Sequence, residues 1–179
     1  FREYYLATIG VDYEKVSFEY KGTNNEIILW DTSGQDKFNF LLDSYFSTVN
    51  GAIIMCDVGV YQSFQQAKNW IDEFRLRKEN DNIPILFIAN KIDIKTRCVF
   101  PDEIQALEKE KNLKTLEISI KTNYNIDKIF PLIFDDIYEK IEDNRISLIG
   151  DKIKVIKRVK SSFQIQEQKE PDPKCCKIM

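Results

Sequence analysis

The sequence predicts a doubly wound α/β domain over residues 1–143, followed by a flexible arm over 144–179. Three observations carry that reading. Two short runs, "GAIIMCD" from Gly51 and "IPILFIAN" from Ile83, are apolar on both faces, as strands covered by helices on each side must be. Between and after them, apolar residues recur at helical spacing. Strand alternating with helix then implies a mostly parallel sheet.

Taken in order, Val11–Tyr20 has the β-rich, partly alternating pattern of a half-buried strand, and Glu26–Trp30 pairs with it. Turn chemistry at Lys21-Gly22-Thr23-Asn24-Asn25 makes the two a hairpin. The run at Gly51 supplies the next strand. Phe64, Ala67, Trp70, Ile71 and Phe74 share one helical face, and the run at Ile83 is the strand that follows. Pro101-Asp102-Glu103 opens a second helix with proline and acids in its first turn. Thr115–Ser119 is a further short strand. Ile126, Ile129, Phe130, Ile133, Phe134, Ile137 and Ile141 mark the last helix. Beyond it the composition becomes basic, then polar, with two prolines before "CCKIM".

Composition bounds the function. With 43% hydrophobic and 31% charged side chains over 179 residues, the chain can bury a sizeable core and is not disordered overall. No apolar run approaches the roughly 20 residues that span a bilayer, and no signal peptide is evident, so a soluble intracellular protein is expected. The net charge of −3 gives no basic face for nucleic acid. Histidine is absent, which excludes Ser-His and Cys-His nucleophile pairs and argues against the usual zinc sites. Cys56 lies in an apolar run and Cys98 in a polar one, and nothing marks a secreted disulfide framework.

In open α/β sheets, ligands bind outside the carboxyl ends of the strands. Three such ends are polar here: "DTSGQ" (Asp31 to Gln35), "NKID" (Asn90 to Asp93) and "SIK" (Ser119 to Lys121). Each has two readings. An aspartate after a strand can hold magnesium through water, and a glycine lets a backbone N–H approach a phosphate; standing alone, "DTSG" reads first as a helix N-cap. The Asp93 carboxylate can accept two hydrogen bonds from the adjacent N–H donors of guanine, which adenine lacks; as a bare tetrapeptide, "NKID" reads first as a solvated turn.

All three together, in this order, resemble a Ras-superfamily small GTPase, and within it the Rab family. "WDTSGQ" is similar to Trp-Asp-Thr-Ala-Gly-Gln, "NKID" to Asn-Lys-x-Asp, and "EISIK" to Glu-Thr-Ser-Ala-Lys. "YYLATIGVDY" resembles the Rab effector-loop segment, "SFQQAKNWIDEF" the family's third helix, and the terminal cysteine pair the Rab lipidation signal. The resemblance covers Phe1 to Ile141 and the last five residues. It implies the P-loop small GTPase fold, a mostly parallel sheet with one antiparallel hairpin, binding GTP and GDP with Mg2+ and hydrolysing GTP as a molecular switch in membrane trafficking.

Carried over residue by residue, Thr8 would ligate Mg2+ and sense the γ-phosphate, and Asp31 would hold the metal through water. Thr32 and Ser33 would flank the phosphate, the Gly34 N–H would contact it, and Gln35 would orient the attacking water. Asn90 and Asp93 would recognise guanine, Lys91 would lie along base and ribose, and Ser119, Ile120 and Lys121 would buttress the base. Ser33 and Ile120 each stand where the family has alanine; the family contact at Ile120 is a backbone N–H to the guanine oxygen. Ile118, where the family has threonine, reads as a core position. The family's first strand and its Gly-x-x-x-x-Gly-Lys-Ser/Thr loop would precede Phe1. That strand belongs between the hairpin and the Gly51 run, and without it two inner edges would lack partners and the chain would fold poorly. Because the chain opens on Phe1 rather than methionine, an upstream apolar strand and phosphate loop are expected.

The tail reads as a paired-cysteine ending, Cys175 and Cys176, suited to double geranylgeranylation, as a Cys-x-x-Met box suited to farnesylation, or as an unmodified end. Lys152, Lys154, Lys157, Arg158 and Lys160 would be drawn to anionic lipid or would form a solvated linker. The resemblance implies a monomer cycling between cytosol and the cytoplasmic face of intracellular membranes, held there by prenyl groups. It implies effectors at Thr8–Tyr13 and Gly34–Phe46, a GTPase-activating protein, an exchange factor, and prenylation and membrane-extraction machinery. A scaffold that never binds nucleotide and a Ras-like signalling GTPase are the alternatives.

Overall fold

The computed structural model describes residues 11–32, 48–78, 82–143 and 153–159. Strands β1 (Val11–Tyr20) and β2 (Thr23–Thr32) form the antiparallel hairpin. Tyr20 pairs with Thr23, so the loop is only Lys21-Gly22, with φ of 50° and 75°. Two successive left-handed residues give the turn type whose twist suits a hairpin. The turn is tighter than the five residues expected, and Thr23 to Asn25 lengthen β2 instead.

After β3 (Gly51–Asp57) come α1 (Tyr61–Lys78), β4 (Ile85–Asn90), α2 (Pro101–Lys111), β5 (Lys114–Glu117) and α3 (Ile129–Glu142), the last entered through a 3-10 turn at Ile126–Lys128. The opening of α2 has the expected chemistry: Pro101 sits in its first turn, and the Glu103 carboxylate accepts the Phe100 N–H at 3.0 Å.

The pleat of β3 and β4 divides the core. Ile54, Cys56, Phe87 and Ala89 face α1 and α2, meeting Phe64, Ile71, Phe74, Ile104 and Leu107. Ile53, Met55, Leu86 and Ile88 face α3, meeting Ile133, Phe134 and Ile137. Ile118 is fully buried in this second layer, the core position expected of it. The Phe18 ring packs at a tilt on Phe134 and the Tyr20 ring stacks on Tyr138, which fastens β1 to α3.

The sheet order is β1-β2-β6-β3-β4-β5, and here the structure corrects the sequence reading. A flexible arm was expected over 144–179, but Ile153–Val159 forms strand β6. It lies parallel between β2 and β3, the slot where the resemblance puts the family's first strand. The edges expected to lack partners are therefore paired, and the poor folding derived from them does not follow. Two causes are visible. Ile153 and Val155 are buried against the α3 layer, each contributing about 1.5–3 kcal/mol. The connection β5–α3–β6 runs back across the sheet on the face opposite α1 and α2, which gives it the same hand as the outward crossovers.

Candidate functional site

Because β2, β6, β3, β4 and β5 are mutually parallel, their carboxyl ends share one rim. Thr32 ends β2, Asp57 ends β3, Asn90 ends β4, and Glu117 leads into Ser119 beyond β5. Two of the three polar segments singled out in the sequence, at Asn90 and at Ser119, meet directly.

Asn90 is the junction. Its Oδ1 accepts the N–H of Lys91 at 2.7 Å and that of Ile120 at 3.3 Å, joining the loop after β4 to the loop after β5. Lys91 has φ of 68°, and its carbonyl accepts the Ile94 N–H, closing a turn that presents Asp93. The buried Ser119 hydroxyl donates to Asp93 Oδ1 at 2.5 Å and accepts the Thr122 N–H at 3.1 Å. That hydroxyl holds the Asp93 carboxyl below its usual value, against a smaller opposing effect of desolvation and with further help from Lys121 and Lys91. The carboxylate is exposed and charged, oriented before any ligand arrives.

The loop after β5 is braced from behind. Ser119 and Tyr124 exchange backbone hydrogen bonds of 3.2 and 3.0 Å, and the Asn125 amide donates to the Glu117 carbonyl at 3.0 Å. Asn123 and Asn125 take left-handed conformations that asparagine tolerates. The Ile120 side chain is exposed at the rim, as is Lys121.

Sequence reasoning missed Asp57. Its carboxylate accepts the Gly59 N–H at 2.9 Å on one oxygen and Lys91 Nζ at 2.6 Å on the other. The missed signal was the one used elsewhere: Asp57 is the polar residue that ends an apolar run. Gly59 packs beside it against Ile94, whose Cδ1 a Cβ there would have to displace.

Asp31 and Thr32 stand at the same rim, aligned with Lys157 and Arg158 of β6. Through β6 they are level with Ile53 and Ile54 of β3, so they lie two strands across from that strand and three to four residues short of Asp57 along it. Thr8, Ser33, Gly34, Gln35, Cys175 and Cys176 lie outside the described residues, as does the Gly34–Phe46 segment. Among the described residues no group of three or more carboxylate or cysteine side chains could hold a metal ion, and no helix is long and apolar enough to cross a membrane.

A doubly wound sheet with a carboxylate and amide cluster at its rim defines an α/β protein of the class that binds ligands at the carboxyl ends of its strands. Comparison with known proteins narrows the class. Residues 1–140 match the family model described as "Ras family". The chain is 31% identical over 151 residues to the Ras-related protein SEC4 of Saccharomyces cerevisiae, covering 84% of this chain and 70% of that one. It is 30% identical over 173 residues to the GTP-binding protein YPTM1 of Zea mays, covering 96% and 82% of the two chains. With the Ras-related protein RAB1BV of Beta vulgaris it shares 31% over 142 residues, 78% of this chain and 66% of the relative. The chain belongs to the Ras family, as a Rab-family small GTPase. Members of this family bind guanine nucleotides with Mg2+, hydrolyse GTP, and interact with effectors, activating proteins and exchange factors.

Proposed function

We propose that this chain is a guanine-nucleotide switch that recruits effectors on intracellular membranes and so directs a step of vesicle traffic. The observation that carries the nucleotide end of this reading is the joined cluster of Asn90, Asp93, Ser119 and Ile120. Its residues fit a guanine base: an exposed, pre-oriented carboxylate for the two adjacent N–H donors, and two loops locked together by Asn90. The Ile120 side chain is exposed and its N–H donates to Asn90 Oδ1 at 3.3 Å, so the family contact would require that N–H to turn from Asn90 to the guanine oxygen. A scaffold that never bound nucleotide would have no need of this arrangement.

At the phosphate end, Asp31 and Thr8 would hold Mg2+, Thr32, Ser33 and Gly34 would surround the γ-phosphate, and Gln35 would orient the attacking water. Mg2+ supplies neutralisation of the phosphate charge that develops in transfer. Effectors would bind at Thr8–Tyr13 and Gly34–Phe46. Prenyl groups on Cys175 and Cys176 would hold the chain on the membrane, two chains anchoring stably where one is marginal. The relatives support the trafficking assignment through their Rab membership.

The test is Asp93→Asn with GTP and XTP as competing ligands. Replacing one acceptor of the N–H pair by an amide should weaken GTP by about 2–3 kcal/mol and erase the preference for guanine over xanthine. Unchanged GTP affinity would reduce Asn90 to Asp93 to a turn.

A further inference from the structure

We propose that Asp57 is a positioning residue for guanine-nucleotide binding, acting through Lys91. This rests on the switch reading above and adds to it a residue that no motif contains. The two carboxylate oxygens of Asp57 have separate tasks. Oδ1 accepts the Gly59 N–H at 2.9 Å, which fixes the carboxylate on its own loop. Oδ2 accepts Lys91 Nζ at 2.6 Å.

The aim of the carboxylate is set from below. The Ser63 hydroxyl accepts the Asp57 N–H at 2.9 Å, so the first turn of α1 grips the end of β3. Asp57 and Asn90 are register partners on adjacent parallel strands, and the Val58 N–H donates to the Asn90 carbonyl at 3.0 Å. Gly59 packs closely on Ile94, where an added Cβ would displace the end of that side chain. The loop after β3 is therefore in direct contact with the turn that carries Asp93.

Lys91 spans the two. Its backbone is left-handed, a conformation costly for a lysine and kept where the surroundings over-determine it. Its side chain runs from the end of β4 to the end of β3, next to the Asp93 and Ser119 pair. The Asp57 side chain is 13% exposed and that of Lys91 50%, so a part-buried anchor holds an exposed apolar stem. A planar base gripped at its edge by Asp93 needs a surface for its face, and the stem held taut by Asp57 is placed to provide it.

Asp57→Asn separates this role from a purely structural one. The asparagine oxygen still accepts the Gly59 N–H, while the charge that holds Lys91 is lost. The measurement is the dissociation rate of fluorescent GDP from the full chain carrying Asp57→Asn, Lys91→Met or both, beside the melting temperature of each. Positioning through Lys91 predicts dissociation about three- to tenfold faster for Asp57→Asn, the range for a half-exposed ion pair. It also predicts no further acceleration when Asp57→Asn is added to Lys91→Met, and melting temperatures within a few degrees. An Asp57→Asn effect that persists undiminished beside Lys91→Met, or no effect at all, overturns the proposal and leaves the switch reading intact. A wild-type chain that takes up no guanine nucleotide overturns both.

Discussion

The sheet holds two kinds of inner strand. β3 and β4 are apolar along nearly their whole length, and each is covered on one face by α1 and α2 and on the other by α3. β6 has the same central position but carries Lys154, Lys157 and Arg158 among its seven residues. The first kind advertises itself: a strand buried on both faces must be apolar throughout. The second does not, since a segment so rich in cations reads as an edge or a linker. What seats β6 is long-range, namely two open inner edges and the apolar layer under Ile153 and Val155.

That contrast breaks most sharply at Val155. It is as buried as Ile54 of β3, so an aspartate at either position should cost about 4 kcal/mol or more and abolish cooperative thermal unfolding. Loss at Ile54 with less than about 0.5 kcal/mol at Val155, the level of an ordinary surface change, would show β6 to be a surface segment. The measurement is chemical denaturation of the two variants side by side.

A smaller effect tests the hairpin that β6 joins to the rest. Gly22 has φ of 75° with nothing within 4 Å of a Cβ added there, so the cost of alanine is conformational alone. Gly22→Ala should lower stability by about 1 kcal/mol with an unchanged β1–β2 register, read by denaturation and amide exchange. A neutral result would mean that the turn is not the left-handed pair described.

The smallest expected effect lies at the base end. The folded-state pKa of Asp93 is lowered, chiefly by the Ser119 hydroxyl. The favourable contribution of the carboxylate is complete above its ordinary 3.8 and is lost as pH falls through the lowered value. An NMR titration of the ligand-free protein should place the Asp93 midpoint below 3.8, and Ser119→Ala should move it back up. A midpoint that ignores Ser119→Ala would mean that the 2.5 Å hydrogen bond is not the cause.

The same contrast explains what the sequence disclosed. β1, β3, α1, α2 and α3 follow from local periodicity and turn chemistry, and their bounds differ from expectation by a few residues at most. That Asn90, Asp93 and Ser119 would come together was legible because they lie at or just beyond strand ends, where a parallel sheet gathers ligand groups. Asp57 follows a strand too, but a lone aspartate there has no pattern around it, and only the register with Asn90 shows what it holds. β6 was hidden for a different reason: its place depends on the edges it meets, not on its own seven residues.

The central claim is that the rim reads a guanine base through Asp93. Competition among GDP, IDP and ADP for the wild-type chain tests it directly, because IDP lacks only the amino group whose N–H the carboxylate would accept. GDP should bind about 10- to 100-fold more tightly than IDP, the worth of one hydrogen bond to a charged group, and roughly 10⁴-fold more tightly than ADP. Equal affinity for all three would contradict the account.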